Sequence, residues 1–293
     1  MGSTPSAGTF FMVRFSRSAA EVFVPDGRPA DVALARTTHL GIGAHQDDLE
    51  FMAFHGIAEC FGQTDRWFGG VICTDGAGSA RSGKYAALAD AEMAELRQSE
   101  QRLASELGGY GVMIQLGYSS AEAKDRSDER LRNDLRGILE VANPEVVYTH
   151  NLADKHPTHI AVVLAVIDAV RSLPKDSRPQ RVIGCEGWRD LDWLPDDEKV
   201  VMDVSRHEAL AARLSAGFAS QIEGGKRYDL AVAGRRAANA TFLDPRTADG
   251  ATRVIFGMDL TPLVVDDTLD PGAYVDGMIA RFKAEVGKGI GEG

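Results

Sequence analysis

The sequence predicts an α/β fold, a Rossmann-like three-layer sandwich with a mainly parallel sheet and helices on both faces. Three observations lead there. Beyond Arg36, short apolar runs alternate with longer helical stretches, the pattern of successive βαβ units. The chain has 293 residues and is 44% hydrophobic, which supports a core and excludes intrinsic disorder. Two dense polar clusters directly follow apolar, strand-like runs, and in open α/β sheets ligands bind outside the carboxyl ends of the parallel strands.

Taken in order, the Gly-, Ser-, Thr- and Pro-containing start MGSTPSAGTF reads as a flexible tail. The β-prone runs 10–15 and 21–24 suggest a small hairpin. Residues 1–30 are therefore assigned to a tail with a hairpin, and 31–293 to one α/β domain. Strands are expected over 38–44, 67–74, 112–116, 146–149, 182–185 and 200–204. Helices are expected over 48–60, 85–107, 128–142, 157–173, 206–222 and around 228–240. Residues 174–179 are the best linker candidate, but the strand-like run after them favours continuation of the same sheet.

Composition removes several classes of function. With 32 basic and 43 acidic residues the net charge is −11, so the chain lacks the electrostatic footprint of a phosphate-backbone binder, and no nucleic-acid partner is expected. The longest apolar run, 160–170, contains Asp168 and falls short of the roughly 20 residues that a bilayer span needs. No membrane partner is expected. The start has no basic region followed by a long apolar stretch, which points to the cytoplasm. Cys60, Cys73 and Cys185 are odd in number and far apart, and they read as buried thiols in a reducing compartment. A homo-oligomer remains open.

The first cluster, His45-Gln46-Asp47-Asp48-Leu49-Glu50, follows the strand THLGIGA. A helix cap accounts for one of its acids, since Asp suits that position and the positive helix end, but not for the imidazole and two adjacent carboxylates together. The second cluster, His150-Asn151, Asp154 and His156-Pro157-Thr158-His159, follows the strand 146–149. Pro157 suits the first position of a helix, which puts His156 at the cap and His159 in the first turn. Two imidazoles and a carboxylate drawn from two such loops make the donor set of a catalytic zinc site with an open position, and iron(II), cobalt or manganese would fit it too.

AHQDD resembles the AHPDD motif, and HPTH the HPDH motif, of the PIG-L family of metal-dependent N-acetyl-sugar deacetylases, also called LmbE-like proteins. The resemblance runs from about residue 38 to residue 159. It extends to Leu96-Arg97-Gln98-Ser99-Glu100 and to the turns Thr74-Asp75-Gly76 and Leu116-Gly117-Tyr118. It implies that His45, Asp48 and His159 ligate the metal, Zn2+ or another divalent transition ion. It further implies that Asp47 is the general base for a metal-activated water and that His156 steadies the oxyanion. Arg97 resembles a residue that contacts the sugar or organises its pocket, and Asp75 is expected to join it in hydrogen-bonding hydroxyls. The implied partner is a small-molecule N-acetylated sugar or glycoconjugate of the N-acetylglucosamine type. Gln46 stands where the family usually has Pro, Leu49 where Glu commonly follows the second Asp, and Thr158 where Asp is usual.

Other residues carry less. His55 lies seven residues past Asp48, roughly 10 Å along a helix, too far to share an ion. Trp188 and Trp193 read as core, with a pocket wall as the alternative. Within the hydrolase class, an amidase acting on a thiol-sugar conjugate or a non-sugar amide is the rival. Outside it stand a nucleotide-binding protein and a catalytically inert binding protein. Gly41-Ile42-Gly43 supports nucleotide binding only weakly, because the third glycine of the dinucleotide fingerprint falls at Gln46.

Overall fold

The computed structural model describes residues 13–291. Residues 1–12, which hold the expected tail and the start of the expected hairpin, lie outside the described residues. Among the described residues eight strands form one sheet: β1 (Glu21–Phe23), β2 (His39–Gly43), β3 (Phe68–Thr74), β4 (Val112–Tyr118), β5 (Val146–His150), β6 (Arg181–Cys185), β7 (Lys199–Asp203) and β8 (Val254–Asp259). Their spatial order is β1-β4-β3-β2-β5-β6-β8-β7. The five central strands, β4 through β6, are parallel, while β1 and β8 run antiparallel to their neighbours.

Twelve helices are present among the described residues: α1 (Ala30–Ala35), α2 (Asp48–Met52), α3 (Phe54–Cys60), α4 (Asp90–Gly108), α5 (Ser120–Lys124), α6 (Arg130–Ala142), α7 (Pro157–Arg171), α8 (Glu208–Ala216), α9 (Ala219–Ile222), α10 (Tyr228–Thr241), α11 (Thr261–Val265) and α12 (Pro271–Gly289). None is long and apolar enough to cross a membrane. The sheet separates two cores. Leu135 and Ile138 of α6 and Val163, Val166 and Ile167 of α7 pack on one side with Ile42 and Val71. Leu49, Met52 and Ile57 of α2 and α3 and Leu214 of α8 pack on the other with Ile72 and Tyr148. This is the expected three-layer arrangement, and β2 and β3 are buried along their whole length because both faces are covered.

The N-terminal hairpin is corrected. Residues 13–15 carry no strand, and β1 pairs with β4, Glu21 opposite Gln115. The preceding segment is held elsewhere: Ser16 donates from both N–H and Oγ to Asp134 Oδ1 on α6, at 2.9 and 2.8 Å, and Val13 and Phe15 pack against the core. The expected helix 48–60 is interrupted at Ala53, and that over 206–222 at Gly217 and Phe218. Strand β8 and helices α1, α5, α11 and α12 are additions to the sequence reading.

Gly41 shows why the glycines of β2 are there. A Cβ at this position would lie 2.6 Å from Phe68 Cζ and 3.0 Å from Leu49 Cδ2, so the missing side chain admits core residues from the neighbouring strand and from α2. Gly41→Ala is expected to destabilise the protein by about 1–3 kcal/mol through overpacking, measured by urea denaturation. An unchanged midpoint would mean that the Phe68 ring can move aside freely.

Candidate active site

Strands β2 and β5 lie side by side, with His39, Leu40 and Gly41 in register with Val146, Val147 and Tyr148. Their carboxyl ends lead into the two polar clusters, and the Ala44 N–H donates across to His150 Nε2 at 3.0 Å. Asp47 has φ +87°, a left-handed conformation that Asp tolerates better than most residues. It lies just ahead of α2 and does not cap it through its side chain. The Asp48 carboxylate turns back and accepts the His45 N–H at 2.6 Å.

Three candidate ligand residues meet in the crevice, Asp48 facing the two imidazoles with different oxygens. His45 Nδ1 lies 3.3 Å from His159 Nε2 and 3.5 Å from Asp48 Oδ2, and His159 Nε2 lies 3.5 Å from Asp48 Oδ1. Ligands held at about 2.0–2.2 Å in a tetrahedron stand about 3.3–3.6 Å apart, so the spacing fits a divalent ion such as zinc. Two other imidazoles come close enough to enter a ligand group, His156 with His45 and His159, and His150 with Asp48 and His159. Each of these is committed to a backbone amide. His150 Nε2 takes the Ala44 N–H, and His156 Nδ1 accepts the Thr158 N–H at 3.3 Å, capping α7.

Electrostatics sort the cluster further. Burial, reinforced by His159, pushes both His150 and His156 down to about 4. Neutral His156 with Nδ1 accepting therefore carries its proton on Nε2. Burial works against protonation of His159 as well, but the charges of Asp48 and Asp154 outweigh it and raise that group. Asp154 Oδ2 stands 3.5 Å from His159 Nδ1, while Asp154 also accepts the His156 and Trp188 N–H groups. A carboxylate on the far nitrogen of a ligating imidazole fixes its ring and raises its basicity.

Burial pushes the Asp47 carboxyl up to about 6, with Arg97 opposing and Asp48 adding to the shift. Asp48 moves the other way: although burial opposes it, His159 and His150 hold it well below the usual carboxylate range. Arg97 on α4 is buried, donates to Asp47 Oδ2 at 3.0 Å and to the Gln46 carbonyl, and pairs with Glu100 at 3.3 Å. Glu100 in turn accepts Ser220 N–H and Oγ, each at 2.7 Å. The Asp47 N–H donates to Gln101 Oε1 at 3.1 Å. The residue where the family has Pro is equally constrained: Gln46 Nε2 donates to Thr74 O and Gln115 Oε1, both at 3.2 Å. Its Oε1 occupies space that a Cβ at Gly76 would need, at 2.3 Å, and Gly76 itself sits at φ +71°.

These groups open into a cavity of about 700 Å³. His45, Asp47, Asp48, Arg97, His156 and His159 all border it, so six of the seven residues singled out from sequence converge there. Asp75 does not border it; its Oδ1 accepts the Ala77 N–H at 3.0 Å, and Gly76, Gly78 and Ser79 form that edge instead. His55 hydrogen-bonds Tyr148 Oη at 2.9 Å, away from the cluster. The two tryptophans divide: Trp193 packs against the core, whereas Trp188 borders the cavity with 42% of its surface exposed. Sequence reasoning gave Asp154, His150 and Glu186 no role. The Asp154 side chain two residues ahead of the His156-Pro157 helix start was the one signal available for the first.

Residues 40–170 match the family model described as PIG-L: GlcNAc-PI de-N-acetylase. The matched stretch is similar to that family. It runs from β2 to α7 and so contains both loops of the crevice. In overall fold the chain is similar to the N,N'-diacetylchitobiose deacetylase of Pyrococcus horikoshii, with a TM-score of 0.59 and 17% identity over 75% of this chain and 82% of that one. It is also similar to GalB, the 4-carboxy-2-hydroxymuconate hydratase of Pseudomonas putida, with a TM-score of 0.56 and 16% identity over 76% and 96% of the two chains. A deacetylase of the teicoplanin biosynthesis pathway gives a TM-score of 0.53 and 15% identity over 75% and 96%. No curated protein matches the chain in sequence.

Burial also pushes Glu186 up to about 7 from an ordinary 4.5, against the opposing charge of Arg235. The folded protein thus holds a proton on Glu186 that the unfolded chain releases, so stability is highest below about 4.5 for this group and is lost as pH rises towards 7. Glu186→Gln should flatten that part of the stability-against-pH curve, read by chemical denaturation between pH 4.5 and 8. Parallel curves for the two proteins would show that Glu186 titrates normally.

Proposed function

We propose that the protein is a metal-dependent hydrolase that removes the N-acetyl group from an N-acetylglucosamine-type sugar or glycoconjugate. The observation that carries this reading is the meeting of His45 Nδ1, Asp48 and His159 Nε2 at ligand spacing beside the buried carboxylate of Asp47. The family model matched by residues 40–170 supports the same class of reaction. His45, Asp48 and His159 would hold a divalent cation, zinc or one of the ions that share its nitrogen and oxygen donors, which would supply Lewis acidity for activating water and polarising the amide carbonyl.

The chain's own groups then divide the work. Asp47 accepts the proton of the attacking water and passes it to the nitrogen of the leaving amine, so that the C–N bond breaks to give acetate and a free amine. The Arg97 guanidinium, buried between Asp47 and Glu100, keeps the base oriented, and the left-handed turn at Asp47 directs it away from Asp48. His156, with its proton on Nε2, is suited to donate to the carbonyl oxygen as negative charge develops there.

The test combines elemental analysis with acetate release from a panel of N-acetylated sugars. Wild type should hold one transition-metal ion per chain and release acetate from at least one sugar. His45→Ala and His159→Ala should lose the metal. Asp47→Asn should keep it and lower kcat by at least about 100-fold, the range of general-base catalysis. Equal metal in wild type and both histidine variants removes the ligand assignment, and near-wild-type turnover by Asp47→Asn removes the base.

A further inference from the structure

Glu186 has no part in the chemistry assigned above, yet it borders the same cavity. It is the first residue after β6, the parallel strand next to β5. Its side chain is buried and half satisfied: Oε1 accepts Asn239 Nδ2 at 2.6 Å and the Phe256 N–H at 3.2 Å, whereas Oε2 is buried with no hydrogen-bond partner. A core that needed only to be filled would carry an apolar side chain here, because an unpaired carboxylate oxygen bears its full desolvation penalty.

The loop that presents Glu186 is fixed. A Cβ at Gly187 would lie 2.6 Å from Asp154 Oδ2 and 3.7 Å from His159 Nδ1, so the backbone presses against the acid behind the proposed ligand. The Trp188 N–H donates to Asp154 Oδ2 at 3.0 Å, and Arg235 donates to the Gly187 carbonyl. Trp188 exposes its ring at the same cavity, with Tyr228 edge-on at 6.0 Å. A carboxylate oxygen with spare acceptor capacity beside an exposed aromatic face matches a sugar ring, which offers hydroxyl donors on its edge and an apolar C–H face.

We infer that Glu186 determines specificity in this site by accepting a hydrogen bond from a ring hydroxyl of the substrate at Oε2, with Trp188 packed against the ring. The inference rests on the deacetylase reading. Its chemical content is a requirement for a hydroxyl donor at one ring position, which an amide lacking a sugar does not meet.

The test measures acetate release by the metal-loaded protein from N-acetylglucosamine and its 3-, 4- and 6-deoxy analogues, for wild type and Glu186→Gln. At pH 8, above the value near 7 to which burial raises Glu186, wild type should lose roughly 10- to 100-fold in kcat/KM on one analogue, the loss of a hydrogen bond to a charged group. Glu186→Gln should lose a similar factor on the parent sugar, mainly through KM, and nothing further on that analogue, while keeping its metal. Glu186→Asp, which retains the carboxylate but withdraws it, takes the place of Glu186→Gln if the latter does not fold. Equal rates on all four sugars by wild type, or the same discrimination by wild type and variant, overturn the inference and leave the deacetylase reading standing. Failure of the wild type to cleave any of the four overturns both.

Discussion

The pairing of β2 with β5 is the constraint on which the site depends. From β2 the chain moves to β3 on one side, and from β5 to β6 on the other, so the helices that follow the two strands cover opposite faces of the sheet. Between their starts a crevice is left at the carboxyl edge, as expected wherever strand order reverses in an open α/β sheet. His45 and Asp48 reach it from one loop and His159 from the other. The hydrogen bond from Ala44 N–H to His150 Nε2, 3.0 Å long, crosses between the strand ends and ties them together. No element of either loop alone assembles the three donors.

Holding acids in that crevice carries a cost that the surrounding polar groups offset. An unpaired buried charge costs several kcal/mol, and here Asp47 and Glu100 share one guanidinium while Ser220 satisfies the outer carboxylate twice. Glu50, pushed up to about 7 by burial, accepts Tyr110 Oη at 2.6 Å and Gln101 Nε2 at 2.9 Å. Gln101 thus links the Asp47 backbone to Glu50, and a residue that stands one place later than the family's usual Glu still braces α2 through α4. The arrangement is rigid in a specific sense: Arg97, Gln101 and Glu100 lie on successive turns of one helix, so Asp47 moves only if α4 moves. GalB, a hydratase, shares the fold, so architecture leaves the reaction to the side chains in the crevice.

The strands and the crevice were legible because their signals are local. Short, largely apolar runs marked β2 through β6, and two polar clusters adjoining such runs marked the edge where ligands bind. What failed to show was non-local. Val254–Asp259 enters the sheet between β6 and β7 from a distance of more than 50 residues, an insertion that no periodicity encodes. The run around Phe15 looked like a hairpin arm until Asp134, 118 positions away, drew Ser16 to α6. Arg97 was visible as a motif residue, but its burial against Asp47 and Glu100 depends on how α4 lies across the loop. Asp75 differs for the converse reason: it sits in a motif-like turn, and its carboxylate accepts the Ala77 N–H within that turn.

The adjacent acids Asp47 and Asp48 show how one backbone angle produces two chemistries. In a regular helical start both would follow the same course and their charges would be held close together in a buried space. The φ of +87° at Asp47 turns its side chain towards Arg97 on α4, while Asp48, now the first residue of α2, turns back to the His45 amide and the imidazoles. Their environments consequently push them apart, Asp48 down among the imidazoles and Asp47 up to about 6 through burial. Carboxyls separated in this way are suited to different roles, the permanently ionised one to holding a cation and the raised one to taking and returning a proton near neutral pH. Because Asp is among the few non-glycine residues that tolerate the left-handed region, the same side chain serves the turn and the proposed proton transfer.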